Sequence, residues 1–246
     1  MGLENSPLLS VHIPKTGGIS RKEFWNNLYG PENVLFYYPQ NGNLVLYRSS
    51  DENKPLINKP ILRGLLETKQ GRILYRLLPP QMRKSSPRTA KIIDDDKTIE
   101  KAKVIHGHFH PKHFAQMLQG KDLTTVLREP LDRVKSHFLF SVKKHELGRE
   151  TASEYKPGMT FTEYALQESM QNFQAKFLKG TPLSDFAYVG VLDHLDRYCR
   201  IFDPEGRVQI QRLNRTQGKI ERSDEFMRNF RKLNELDYQL YGDALS

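Results

Sequence analysis

The sequence predicts an α/β fold: a P-loop-like parallel sheet flanked by helices, carrying a basic helical insertion. Three observations predict it. Short apolar runs alternate with stretches of helical spacing along the chain, the pattern of βαβ units that pair strands in parallel. Two of those runs end in segments suited to holding anions, Pro14-Lys15-Thr16-Gly17-Gly18-Ile19-Ser20 and Arg128-Glu129-Pro130. Open α/β sheets bind ligands at the carboxyl ends of their strands, where both segments fall.

The elements follow in order. A strand is expected at 8–13, an anion loop at 14–19, a helix at 20–29 and a strand at 33–38, where Val34-Leu35-Phe36-Tyr37-Tyr38 is the apolar run. Residues 39–60 read as irregular, with Asn41-Gly42-Asn43, Pro55 and Pro60 marking turns. Leu62, Leu65, Leu66, Ile73, Leu74, Leu77 and Leu78 then suggest an amphipathic helix over 61–78, stopped by Pro79-Pro80 and interrupted in spacing by Gly64 and Gly71. A loop over 79–89, a strand at 103–107, a short helix at 111–118 and a second motif strand at 123–128 lead to a helix at 130–146. The polar stretch 150–157 has the composition of a lid. Helix 161–179, strand 187–191, helix 193–202, strand 208–212 and helix 223–241 complete the chain. At 246 residues this reads as a single domain over 1–246, with 39–100 as the basic insertion on the acceptor side.

Charge and composition narrow the partners. The formal net charge is +9, which favours anionic ligands. The excess is concentrated: between Lys54 and Lys91 there are ten Lys or Arg against one acid, Glu67. Such a run serves an acidic acceptor, a membrane surface or a nucleic acid, or is simply solvated. No stretch approaches the ~20 apolar residues a membrane span needs, and no signal-peptide core precedes the first strand, so a soluble cytoplasmic chain is expected. The single cysteine, Cys199, excludes an intrachain disulfide and sits in an amphipathic stretch, where it is expected buried and inert. The myristoylation-like Met1-Gly2 with Ser6 and the sequon Asn214-Arg215-Thr216 are short, unspecific patterns.

The first loop has its own chemistry. Glycines admit a close backbone approach, the amides at a helix start point at the ligand, and Lys15 adds a mobile charge. Its lysine precedes the glycines, whereas the Walker pattern places it after them. The second segment, Thr124-Thr125-Val126-Leu127-Arg128-Glu129-Pro130-Leu131-Asp132-Arg133-Val134-Lys135-Ser136, puts a guanidinium at a strand end and a hydroxyl two helical turns later. Those two groups suit a phosphomonoester. An ordinary strand followed by a charged helix face fits the same residues.

Together, Pro-Lys-Thr-Gly-Gly-x-Ser after a strand and Arg128 followed by Ser136 resemble the two donor-binding motifs of sulfotransferases that use 3′-phosphoadenosine 5′-phosphosulfate (PAPS). The likeness is closest to the heparan-sulfate 2-O- and 6-O-type enzymes and related small microbial sulfotransferases. Glu129 stands where that family usually has Asp. Asn172-Phe173-Gln174-Ala175-Lys176-Phe177-Leu178, Phe186 to Leu192 and Leu236-Asp237-Tyr238-Gln239-Leu240-Tyr241 resemble further family elements; Asp193-His194-Leu195 departs from the commoner Thr-Glu-Arg type. The resemblance covers most of the chain outside 39–100. It implies sulfuryl transfer from PAPS to a hydroxyl or amine, leaving 3′,5′-ADP, with no metal. Lys15 would neutralise charge on the bridging oxygen. Thr16, Gly17, Gly18, Ile19 and Ser20 would hold the 5′-phosphate, and Arg128 with Ser136 the 3′-phosphate.

The base is expected in Val104-Ile105-His106-Gly107-His108-Phe109-His110-Pro111-Lys112-His113, since imidazole titrates near working pH. Heparan-sulfate-type members carry the base in a His-Gly-His element, and that match points to His108 first and His106 second. A strand-end histidine bonded to a backbone carbonyl is the ordinary alternative. The spacing gives no helical histidine face and no carboxylate, so a metal is not expected. Arg212, Arg215, Lys219 and Arg222 suggest a basic flap over the nucleotide. The expected acceptor is a small molecule or carbohydrate, with no nucleic-acid partner and no indication of oligomeric state. Two rivals are a nucleotide-dependent kinase, for which Leu192-Asp193 is the nearest strand-end acid, and a non-catalytic basic protein binding polyanions or nucleic acid.

Overall fold

The computed structural model describes residues 7–40, 43–50, 57–60, 101–111, 122–210 and 223–246. Among the described residues seven strands form one sheet: β1 Leu8–Val11, β2 Val34–Gln40, β3 Asn43–Arg48, β4 Ile57–Pro60, β5 Val104–Gly107, β6 Leu123–Leu127 and β7 Tyr188–Val191, in the order β4-β3-β2-β5-β1-β6-β7. β2 runs parallel to β5, and β6 to β7. Every residue of β1, β5 and β6 is buried, as expected for parallel strands covered on both faces. The predicted α/β class with a parallel sheet flanked by helices is what the chain forms.

The chain divides into two compact units, Met1–Ser10 with Trp25–Phe109, and Val11–Phe24 with His110–Ser246. In the first, the described residues among 39–60 depart from the irregular reading. β2 pairs antiparallel with β3, and β3 with β4. Gln40 pairs with Asn43, in keeping with the Asn-Gly turn signal of the sequence. In the same unit Trp25 donates its indole N–H to Ser10 Oγ at 3.3 Å, and Ser10 Oγ lies 2.9 Å from His106 Nδ1. The expected helices over 61–78 and 111–118, the loop over 79–89 and the basic flap fall outside the described residues, wholly or nearly so.

The second unit is built around helix α2, Pro130–Glu146. Leu131, Val134, Tyr155, Phe161, Tyr164, Met170, Phe226 and Phe230 form its core. Tyr155 belongs to that core, so the polar stretch expected as a lid is anchored at its middle. The helix expected over 161–179 is two, α3 Phe161–Ala165 and α4 Phe173–Phe177, separated by a 3₁₀ turn at Glu168–Met170. Thr160 and Glu163 form a capping box that starts α3, and Asn172, at φ 47°, stands in left-handed backbone that no helix interior accepts. α5 spans Leu195–Phe202. The last predicted helix also divides, into α6 Asp224–Leu233 and α7 Glu235–Asp243 at Asn234. Val208 to Ile210 form no strand; the Val208 amide instead donates to Asp203 Oδ2 at 2.8 Å. Among the described residues no helix is long and apolar enough to cross a membrane.

Candidate functional site

Helix α1, Gly18–Tyr29, begins inside the loop expected at 14–19. Its first-turn amides, Gly18 to Ser20, therefore point out of the helix N-terminus. The loop before it is tightly specified. Lys15 and Gly17 both have positive φ, 73° and 82°. A Cβ on Gly17 would meet Leu192 Cδ1 at 2.5 Å, and one on Gly18 would overlap the His12 imidazole. His12 is thus packed beneath the glycine turn. The buried Arg21 guanidinium donates through both terminal nitrogens to the Val11 carbonyl at 3.3 Å, and Thr125 Oγ1 donates to the same oxygen at 3.1 Å. These bonds tie the strand end to the helix start.

Thr16 behaves differently from expectation. Its hydroxyl donates to the Ile13 carbonyl at 2.8 Å and its amide to the same oxygen at 3.3 Å. A hydroxyl has one proton, so Thr16 spends it on the turn rather than offering it to a ligand. Ser20 is buried on the first turn of α1, while Ile19 is 54% exposed.

Arg128 joins the second motif to the first. Its Nη1 donates to the Lys15 carbonyl at 3.2 Å. Its backbone is held on both sides by the buried Gln174: the Arg128 amide donates to Gln174 Oε1 at 3.0 Å, and Gln174 Nε2 donates to the Arg128 carbonyl at 2.8 Å. Gln174 is fixed in turn, since its own amide and that of Ala175 donate to the two oxygens of Asp237 at 3.1 and 2.8 Å. Asn172 and Asn234 complete the frame, the Asn172 amide donating to Asn234 Oδ1 at 3.0 Å. The Asn172–Leu178 and Leu236–Tyr241 segments thus hold the arginine turn in place. Glu129 caps α2 by accepting the Asp132 amide at 2.7 Å and accepts the Tyr238 hydroxyl at 2.8 Å. Glu129 thus both caps the helix and anchors Tyr238.

The site is basic and partly dry. Burial, then the charge of Arg128, lowers Lys15 to about 8. Burial likewise lowers Arg128. Arg133 is fully buried, its Nη2 3.5 Å from the Met170 carbonyl and its guanidinium 4.2 Å from the Phe173 ring centroid; burial lowers it to about 10. His137, 2.7 Å from the Tyr164 hydroxyl through Nδ1, is lowered to about 4 by burial, Arg133 and Lys15. Cations held out of water beside one another favour an arriving anion. Ser136 is buried on α2, and by helical spacing shares a stripe with Asp132, Phe140 and Lys144. The reading of the sequence missed Phe140, His137 and Arg133; the stripe from Ser136 to Phe140 was the available signal for the first.

His106 and His108 belong to the first unit. His106 is fully buried against Ser10, with the Phe36 ring edge-on at 6.0 Å. His108 is half-buried just past the strand end, and its amide donates to the Tyr37 carbonyl at 2.9 Å. Gly107 permits this, because a Cβ there would overlap that carbonyl.

No family model matches the chain, and no curated protein matches it. Among solved structures, a sulfotransferase from Alicyclobacillus acidocaldarius is similar over 97% of this chain and 95% of its own, at 14% identity and a TM-score of 0.40.

Proposed function

We propose that the chain is a PAPS-dependent sulfotransferase, acting on a hydroxyl or amine of a carbohydrate or small-molecule acceptor. The observation that carries this reading is the 3.2 Å bond from Arg128 Nη1 to the Lys15 carbonyl, which makes one basic site of two anion-binding segments far apart in sequence. The glycine turn and the desolvated cations suit a nucleotide with two separate phosphate groups. The donor supplies a sulfuryl group on a phosphosulfate anhydride.

In this reading the amides of Gly17, Gly18, Ile19 and Ser20 hold the 5′-phosphate. Thr16 shapes the turn. Arg128 and Ser136 hold the 3′-phosphate and so select against ordinary adenylates. The acceptor oxygen or nitrogen forms its bond to sulfur as the bond from sulfur to the bridging oxygen breaks. Lys15 stabilises the electron pair left on that oxygen. His108 receives the acceptor proton, a role that rests on the His106-Gly107-His108 likeness. His106 is the weaker candidate because its ring is buried in the core.

Thermal unfolding with 3′,5′-ADP and with 5′-AMP tests the donor site. At ~100 times its dissociation constant a ligand stabilises the native state by about 2.7 kcal/mol. The bisphosphate should raise Tm clearly more than AMP, and Arg128→Ala should abolish the difference. Equal shifts from the two nucleotides would sink the proposal and favour a basic polyanion-binding protein.

A further inference from the structure

The Lys15 ammonium rests on an aromatic ring that the two anion-binding segments do not include. Its Nζ lies 3.9 Å from the centroid of Phe140. Phe140 is 47% exposed, so burial alone gives its ring little reason to sit on a helix followed by Lys143 and Lys144. It stands one turn beyond Ser136, and Lys144 Nζ, one turn further, lies 5.5 Å from the same ring.

The backbone of Lys15 is already pinned by its left-handed conformation and by the bond from Arg128 to its carbonyl. Where its charge goes is then decided by a long, flexible stem with substantial rotamer entropy. Among the described residues, Arg128 at the end of β6 and His137 and Lys144 on α2 are basic groups near it. An aromatic face attracts a cation through its quadrupole and brings no carboxylate that would compete with an anionic ligand.

We propose that Phe140 is a positioning residue for Lys15, its ring seating the ammonium at the anion loop in the unliganded protein and releasing it to the incoming anion. The inference rests on the donor-site reading. The seat is suited to release because the ring is half in water. A carboxylate partner would hold the lysine more tightly and repel the donor.

The test is the titration of Lys15, followed by NMR in protein labelled with ¹³C at lysine Cε, its signal assigned by absence from Lys15→Met. Phe140→Leu keeps apolar bulk and removes the π face; Phe140→Trp supplies a stronger one. Leu should lower the Lys15 midpoint by about 0.4–0.7 of a pH unit, equivalent to about 0.5–1 kcal/mol. Trp should return it to the wild-type value or above. An unchanged or higher midpoint with Leu, or a midpoint with Trp as low as with Leu, overturns the seat. Adding 3′,5′-ADP then separates the two ideas. A raised Lys15 midpoint supports the release to the anion. No response, in a protein where Leu still lowers the midpoint, leaves the seat standing and removes both the nucleotide reading and the release step.

Discussion

Replacing Gln174 with Leu tests whether the frame around Arg128 matters for both stability and ligand selection. Gln174 is fully buried and satisfies the Arg128 amide at 3.0 Å and its carbonyl at 2.8 Å. Leucine nearly fills the space but leaves both backbone groups without that partner. Each unsatisfied buried group costs about 1–3 kcal/mol, so the pair should cost about 2–6 kcal/mol. For a chain of this size that is a fall in Tm of about 4–24 °C. Urea unfolding gives the free-energy change, and calorimetric titration with 3′,5′-ADP and 5′-AMP gives the selectivity. The variant should also lose most of its preference for the bisphosphate, because the guanidinium would no longer be aimed. Loss of less than about 0.5 kcal/mol together with an intact preference would refute the claim that Gln174 sets the arginine, since substitutions without such a role fall in that range.

Bisphosphate affinity should fall as pH rises through about 8, where Lys15 loses its proton in the free protein, and Lys15→Arg should flatten that limb in a calorimetric pH series. His137 acts on stability at the acid side. Its native value near 4 lies below the ordinary 6.5, so the unfolded chain binds the extra proton and stability is lost as pH falls from about 6.5 to 4. His137→Gln should make the urea midpoint less steep over that window. Gly18→Ala should drive a methyl into the His12 ring and weaken nucleotide binding together with Tm, whereas Gly148→Ala, which meets nothing nearby, should leave binding unchanged and affect stability only through its positive φ of 63°. Cys199, buried with its thiol pushed up to about 12 chiefly by burial, should resist alkylation in the native protein and react only on unfolding, as read by mass spectrometry.

Much of the fold was legible from local pattern. Apolar runs bounded by turn residues located β1, β5, β6 and β7, because strand burial depends on composition a few residues wide. The glycine turn leading into a helix was legible for the same reason: its conformation is a property of a short segment. Local pattern failed where distant side chains outvoted it. Residues 161–179 have helical spacing, yet Asn172 is drawn into left-handed backbone by Asn234 and Asp237, more than sixty residues away. His106 resembled half of a catalytic pair, and the tertiary structure places its ring in the core beside Ser10. Segment chemistry was therefore written in neighbouring residues. The aim of Arg128, the seat of Lys15 and the dryness around them arise only when remote segments remove water from the same place, and that required the folded chain.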